Sequence, residues 1–562
     1  MYLDVVTKIP DLPGKIICRK VSGTTYVYYQ YGQQYDPARR FSIPQRTTIG
    51  KLNADGLLIP NENFHKYITG ENLPGEKPRS VRSSCLRIGV HIILRKIIAD
   101  YQLEDFVSSS IGQGDTGFLL DLAAYSIISE NNAGQYYPDY AFNHPLFTSG
   151  MKMYSDARVS SFLNSITDGQ TSSFLNSWNE KRNHRERIYI SYDATNKNCQ
   201  AGDIEMAEYG HAKDDRSKPV FNYSLSYDHS NREPLYYEEY PGSIVDVSQL
   251  QCSLDKAMGY GYKNVGFILD RGYFCKENIR YLDKCNYSFV MMVKGVKALV
   301  SELILSTRGS FETNRDCHVR EYKAYGKTVK ARLYADDDKE RFFHIYYTPG
   351  RAHAEREQFE ARIEALSKYL KKQEGKKRQF GDSIRDYFTL EYAGDKETFL
   401  FARERKDVVE RELMLGGYFA IVTSEEMTAG DALTLYKSRD ESEKLFRGDK
   451  SYLGNKAARV YSDESASAKI FIEFIALILR NKLYTYLKSA VLKNEKKANY
   501  MTVPAAIREL EKVEMIRLAD GIYRLDHAVT ATQKEILSAF GLNEDFVKQE
   551  AKRLSEELAN LK

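Results

Sequence analysis

No stretch of this sequence approaches the roughly 18 uninterrupted apolar residues that a membrane helix needs. Its strongly apolar segment "AKIFIEFIALILRNKLYTYLK" (468–488) is broken by Lys469, Glu473, Arg480 and Lys482, which suits a helix in a protein core better than one in lipid. The opening "MYLDVVTKIPDLPGK" lacks the charged start and apolar run of a signal peptide. A cytoplasmic setting is therefore expected. The seven cysteines never form CxxC, which argues against a disulfide framework and a zinc ribbon, and predicts reduced packing residues. The ten histidines show no ligand spacing. Nor is there a large excess of one charge: 81 Lys and Arg nearly balance 77 Asp and Glu, for a net +4. Any nucleic-acid surface must come from local clustering.

What is present is length and soluble character. The 562 residues are 42% hydrophobic and 28% charged, with mean hydropathy −0.51. Such a chain exceeds what one core organises, so three or more units are expected. Residues 1–80 read as a small β-rich unit, because "TTYVYYQYG" is β-branched and aromatic between Gly and Pro signals. From 81 to 185 the period changes: Val90, Ile93, Leu94, Ile97 and Ile98 recur at helical spacing. Residues 186–296 carry the strands "RIYISYDAT", "FNYSLSYDHS", "EPLYYEEYPGS", "NVGFILDRG" and "YSFVMMVKG", with a helix before the fourth. A mixed α/β sheet follows from that order. Residues 297–415 turn to charged hairpins and a long helix over 351–373, which reads as an inserted unit. The sheet pattern resumes over 416–495 with "GGYFAIVTS" and the apolar helix. A mainly helical unit, 496–562, ends in Val547, Ala551, Leu554, Leu558 and Leu561 at 4-3-4-3 spacing. Packing on its own unit is the favoured reading of that stripe, ahead of a partner helix.

The segment "LYKSRDESEKLFRGDK" (435–450) holds Tyr436, Arg439, Glu443 and Lys450 at offsets of three, four and seven. On one continuous helix all four lie within a sector of about 60°. Taken alone, such a stripe is a solvated charged face. Asp193 and Asp270 each end a strand, and taken singly each reads as a turn-starting residue. Together they suggest more, because strand ends at a sheet edge are where α/β proteins place chemistry. Two Asp from adjacent strands and one Glu from a crossing helix would hold hard divalent ions without His or Cys. Phosphodiester hydrolysis and transfer call for such ions. Arg439, Lys450 and Tyr436 would then hold phosphates.

These motifs, "YISYDATN", "GFILDRGYF" and Tyr436-x2-Arg439-x3-Glu443-x6-Lys450, resemble the DDE transposases of bacterial insertion sequences, specifically the insertion-sequence-four group and its longer relatives. The region "YGHAKDDRSKPVFNYSLSYDHSNREPLYYEEYPGS" (209–243) is similar to the family's stretch after its first Asp. The resemblance covers about 187–295 and 416–490. It implies an RNase H-like mixed-sheet core interrupted by a β-rich insertion, fitting the 173-residue separation of Asp270 and Glu443. It further implies that Asp193, Asp270 and Glu443 are catalytic metal ligands, holding two Mg²⁺ ions for which Mn²⁺ substitutes. Tyr436, Arg439 and Lys450 would contact transposon-end DNA. The expected activity is cutting of the element's ends and their joining to target DNA, by a homodimer in a synaptic complex, nucleoid-associated and without a membrane. The family's layout makes 81–185 the expected DNA-binding unit. Alternatives are a transposase-derived DNA-binding protein that does not cut, and a metal-dependent nuclease without strand transfer. One departure stands out: similar transposases receive a flipped base on an insertion-domain Trp, whereas Trp178, the one Trp, precedes the core. Tyr322, Tyr325 or Tyr334 is the expected substitute if a hairpin forms. The segment "REYKAYGKTVKARLY" (320–334), with Arg320, Lys323 and Lys327, reads as a DNA-facing hairpin or as an edge strand protected by lysines.

Overall fold

A computed structural model describes residues 2, 6–11, 14–37, 40–67, 82–182, 186–199, 204–440, 444, 448, 450, 452–454, 457–494, 498–518 and 521–560. The β-branched and aromatic N-terminal segments form strands β1 (Lys15–Val21), β2 (Thr24–Asp36), β3 (Phe41–Leu52) and β4 (Leu58–Pro60), paired in chain order as an antiparallel sheet. One face buries Val27, Ile49 and Leu58 against Phe64 of the short helix Glu62–Tyr67. This small core is separate from the main one.

A short strand, β5 (Cys85–Arg87), leads into the helix Gly89–Tyr101, whose Val90, Ile93, Leu94, Ile97 and Ile98 are buried. Helices continue to Glu180. Trp178 is fully buried there. Its indole N–H donates to the Pro234 carbonyl at 3.0 Å, with Phe174 stacked beside it and the Arg182 guanidinium over its ring. It is a core anchor, as its position ahead of the sheet requires.

The central sheet begins with β6 (Ile188–Asn198), β7 (Val220–Asp228), β8 (Glu233–Pro241), β9 (Val265–Leu269) and β10 (Ser288–Met292). β6, β7 and β8 pair antiparallel in sequence, while β9 joins the other edge of β6 in parallel and β10 joins β9 in parallel. The helix Asp246–Gly259 makes the crossover that a parallel return needs. Next come β11 (His318–Val319), β12 (Ala324–Arg332) and β13 (Glu340–Tyr347), then a two-stranded sheet of β14 (Phe388–Tyr392) and β15 (Phe399–Glu404), and then β16 (Tyr418–Thr423). β16 lies between β13 and β10, so the sheet runs β11-β12-β13-β16-β10-β9-β6-β7-β8. The hairpin strands 318–347 thus extend the central sheet rather than standing apart. What stands apart is β14–β15 with the helix Pro349–Lys371, closed by Ile363, Leu370, Phe388 and Phe399.

The helix Asp463–Asn494 is apolar nearly all round and passes through the main core, with Phe471, Ile475, Ile478 and Leu479 fully buried. Among the described residues no helix is long and apolar enough to cross a membrane. Lys197 and Glu473 pair in its interior, Asn132 donates to the second Glu473 oxygen at 3.2 Å, and Lys469 donates to the Ala458 carbonyl at 2.8 Å. The C-terminal strands β17 (Glu514–Arg517) and β18 (Tyr523–Leu525) form a sheet with β5. Gly89 permits that join, since a Cβ there would meet the Leu510 carbonyl oxygen at 2.2 Å. The last helix, Glu544–Asn560, buries Val547, Ala551 and Leu554 in the main core, so its stripe packs within the chain. The described cysteines are all free.

Candidate active site

β6 and β9 pair in parallel up to Tyr192 and Leu269. The next position on each is an aspartate, so Asp193 and Asp270 stand side by side at about one strand spacing, near 4.8 Å. Each carboxylate also accepts from the following backbone N–H, Ala194 at 2.9 Å and Arg271 at 2.7 Å. Asp270 thus starts the turn Arg271–Tyr273 after β9, whereas Asp193 lies midway along β6, which stays paired to β7 as far as Asn198; this corrects the expectation that Asp193 ends its strand. Burial pushes the Asp193 carboxyl up to about 6; Lys213, the Ala194 N–H and Arg439 oppose that rise, and the Asp270 charge adds to it.

The helix Ala429–Lys437 crosses this face of the sheet. Thr428 caps it, its hydroxyl accepting from the Asp431 N–H at 3.1 Å. Its Ala429, Leu433 and Tyr436 pack on Val290, Tyr346 and Ile421. That docking brings the Tyr436 hydroxyl to 3.4 Å from Asp270 Oδ1, as donor. Burial pushes the phenol up to about 12 against the opposing pull of Arg439, so it keeps its proton.

The helix ends at Lys437, which corrects the expectation of one continuous helix from 435 to 450. The Ser438 hydroxyl bonds back to the Leu435 carbonyl at 2.6 Å, and the Arg439 N–H bonds to the Tyr436 carbonyl at 3.3 Å, a tightened turn. Serine competes with the helical ladder in this way. The turn nonetheless delivers Arg439, whose Nη1 lies 2.6 Å from Asp270 Oδ1. Two of the four stripe residues thus reach one carboxylate. Lys450 is placed otherwise, with its Nζ 2.7 Å from Asp214 Oδ2. Glu443 lies outside the described residues.

Lys213 and Asp214 were not singled out by sequence reasoning. They sit in a loop held along the end of β6 by two asparagine side chains. Asn196 donates to the His211 carbonyl at 2.8 Å and accepts from the Lys213 N–H at 3.0 Å. Asn198 donates to the Asp215 carbonyl at 2.8 Å and accepts from its N–H at 3.3 Å. The Lys213 ammonium donates to the Ala194 carbonyl, beside Asp193. The signal was the alternation of Asn196 and Asn198 behind Asp193, which places both amides on one side of the strand.

In the 320–334 hairpin Arg320 and Lys323 are exposed around a short turn, while Lys327 donates to the Ser310 hydroxyl at 3.0 Å. Tyr322 packs against the cluster that includes Leu433 and Tyr436 of the helix Ala429–Lys437. Tyr325 lies against His318 with ring centres 4.8 Å apart, and Tyr334 lies under the Lys276 ammonium.

Among the described residues no group of three or more His, Cys, Asp or Glu is close enough to hold a metal ion. Asp193 and Asp270 nevertheless fit a hard divalent ion chemically. They are adjacent oxygen donors, and a cation would offset both the burial that chiefly raises Asp193 and the smaller repulsion from Asp270.

The model of the transposase DDE domain matches residues 185–479, just over half the chain and the whole of the sheet from β6 to β16. The chain belongs to the DDE transposase family. Enzymes of this family cut and join DNA and generally use divalent metal ions. Among solved structures, a piggyBac transposase synaptic complex with hairpin DNA, determined by cryo-EM, is similar at TM-score 0.34 and 8% identity, over 84% of this chain and 82% of that one. No curated protein matches the chain.

Proposed function

We propose that this DDE transposase is a cut-and-paste enzyme of the insertion-sequence-four group, acting on the ends of its own element. Asp193, Asp270 and Glu443 are the metal-holding carboxylates in this reading. The observation that carries it is the convergence of Tyr436 and Arg439 on Asp270, beside Asp193. The strand order β8-β7-β6-β9-β10, with β7 antiparallel to its neighbours, supports an RNase H-like core over 186–296 and 416–495; of the intervening 297–415, the strands 318–347 extend that sheet and the β14–β15 unit is the part that stands apart. When bound, Mg²⁺ ions, or Mn²⁺ in their place, would activate the attacking oxygen and stabilise charge on the entering and leaving oxygens.

The chain's own residues bind and orient. Arg439 and Lys450 are cations held by carboxylates in the free protein, Asp270 and Asp214. A DNA phosphate would take over Arg439, leaving Asp270 available as a ligand. Lys450 would exchange Asp214 for a second phosphate, and the Tyr436 hydroxyl would donate to one of them. Arg320, Lys323 and Lys327 would contact flanking backbone from the hairpin. Water first cleaves the end to leave a 3′-hydroxyl, and that hydroxyl attacks a second phosphodiester. Where the second target is the opposite strand a hairpin forms, with Tyr322 as the candidate for stacking the displaced base, since it lies beside the helix that carries Tyr436. Two copies would hold the two ends.

The test incubates purified protein with a plasmid carrying the gene and its native flanks in Mg²⁺, with Asp270→Asn alongside. Excision by wild type alone is the expected outcome. Wild type and variant that bind the flanks equally and cut nothing, in Mg²⁺ or Mn²⁺, would replace this reading with that of a DNA-binding protein.

A further inference from the structure

The N-terminal sheet has a second face that the small core does not use. Cross-strand pairing defines it: Arg19 stands opposite Tyr26 and Tyr26 opposite Lys51; Lys15 stands opposite Gln30 and Gln30 opposite Arg46. Directly opposed residues share a face, so two rows of cations flank a central line of Tyr26, Tyr28 and Gln30. Lys15, Arg19 and Arg46 are exposed, without a salt-bridge partner among the described residues, and Lys51 lies over the Tyr2 ring. A bulge in β3, where Val27 and Tyr28 pair with Gly50 and Thr48, turns Ile49 into the core and keeps Lys51 and Thr48 outward.

Charge separates this unit from the rest. Residues 14–52 hold seven basic residues against Asp36, a net +6 in a chain of net +4. The helical block 82–182 holds eight basic against ten acidic residues, a net −2. Its arginines are engaged within the protein: Arg82 on the carbonyls of His144 and Met151, Arg158 on Asp115 at 2.8 Å, and Arg182 on Trp178 and Glu233.

Beyond Gln30 the pairing with β1 stops, while β2 and β3 continue as a two-stranded ribbon to Asp36 and Phe41, where the Arg40 N–H donates to the Asp36 carbonyl. That arm is about 20 Å long. It exposes Tyr35 at 61% and Phe41 at 52%. A lone two-stranded ribbon is marginally stable in water, and its width suits the major groove of B-DNA, about 12 Å across.

We infer that the outer face of β1–β3 and its projecting ribbon bind duplex DNA, with Lys15, Arg19, Arg46 and Lys51 on the phosphates and the ribbon in a groove. The choice of DNA as partner rests on the transposase reading; the surface itself does not. This moves the DNA-binding unit from the helical block, where the family's layout put it, to the sheet. Duplex is favoured over single strand because Tyr26 and Tyr28 are half-buried between the two rows of cations, so the face that meets the phosphates has no open ring for a base; the exposed Tyr35 and Phe41 lie out on the ribbon.

The test uses the full chain and two duplexes, one from the element's flank and one of unrelated sequence, with affinity followed by anisotropy against salt. Changing Lys15, Arg19, Arg46 and Lys51 together to Gln is expected to weaken both complexes at least about tenfold near 0.1 M salt, and to reduce the slope of log K against log salt by about 3 to 4. Arg19→Lys, which keeps the charge, should leave the slope unchanged, and a circular dichroism spectrum of the quadruple variant matching wild type is the check that its sheet is folded. An unchanged slope in the quadruple variant overturns the inference. So does loss of self-association by light scattering with DNA binding intact, which would make the face an interface between copies. If the slope falls while wild type cuts no plasmid, the surface stands and the cleavage reading falls.

Discussion

Strand β6 carries two charged clusters four residues apart, and they are built for opposite purposes. Midway along it Asp193 meets Asp270, whose side chain is 38% exposed and whose partners Arg439 and Tyr436 arrive from a helix end. Further along, Lys197 is 2% exposed and faces Glu473, while Asn132 satisfies the second oxygen of that carboxylate. In the open cluster Asp270 faces solvent, so water, metal or phosphate can reach its carboxylate, with the more buried Asp193, Tyr436 and Arg439 beside it. In the closed cluster nothing can, and removing one ion strands the other in a low dielectric. The same residue types thus make a site in one place and a fastener in the other, and burial decides which.

Breaking the open cluster should abolish chemistry and spare the fold. Asp270→Asn is expected to lower single-turnover cleavage of an end-containing duplex at least about a thousandfold, about 4 kcal/mol of transition-state stabilisation, with thermal melting little changed. Breaking the closed cluster should do the reverse. Glu473→Ala is expected to destabilise the protein by about 3–5 kcal/mol in urea titrations, whereas the paired change Lys197→Met with Glu473→Leu should recover most of that loss. A smaller effect belongs to Arg439→Lys, which keeps the charge but loses the planar fork. About a tenfold loss in cleavage is expected, read from the same single-turnover assay.

The last effect sharpens the comparison through pH. Asp193 is pushed up to about 6 from its ordinary 3.8, so between those values the native protein holds a proton that the unfolded chain has released. Stability therefore falls as pH rises through that window and levels off above it. Asparagine cannot ionise and escapes the loss. Without metal, Asp193→Asn should be more stable than wild type at pH 7 by up to about 3 kcal/mol, and the gap should close near pH 4.

Much of this was legible in the sequence because it follows from local rules. Asp270 ends a strand whose length and apolar pattern can be counted, and the crossover between β8 and β9 forces the parallel pairing that sets it beside Asp193; that β6 runs on past Asp193 to Asn198 was not legible, because its continuation is fixed by pairing with β7. Other features depend on contacts that no periodicity carries. The helix was read through Ser438 because charge spacing fits a continuous helix, whereas the hydroxyl's bond to the Leu435 carbonyl ends it at Lys437. Lys213 and Asp214 escaped notice because a loop's position is set by Asn196 and Asn198 on another element. The strands 318–347 were grouped with the inserted unit because they are adjacent in sequence, but β13 finds its hydrogen-bond partner in β16, more than seventy residues on. The basic face of β1–β3 was hidden for a similar reason: its cations come from three strands and join only through register.

The central claim is that the carboxylate at the end of β9 holds a catalytic metal. Asp270→Cys tests it most directly, because a thiolate is a soft ligand that suits Mg²⁺ poorly and Mn²⁺ better. The expected result is no cleavage of an end-containing duplex in Mg²⁺ and partial recovery in Mn²⁺. Undiminished cleavage by Asp270→Cys in Mg²⁺ would contradict it, since a position that tolerates sulfur there does not hold the metal.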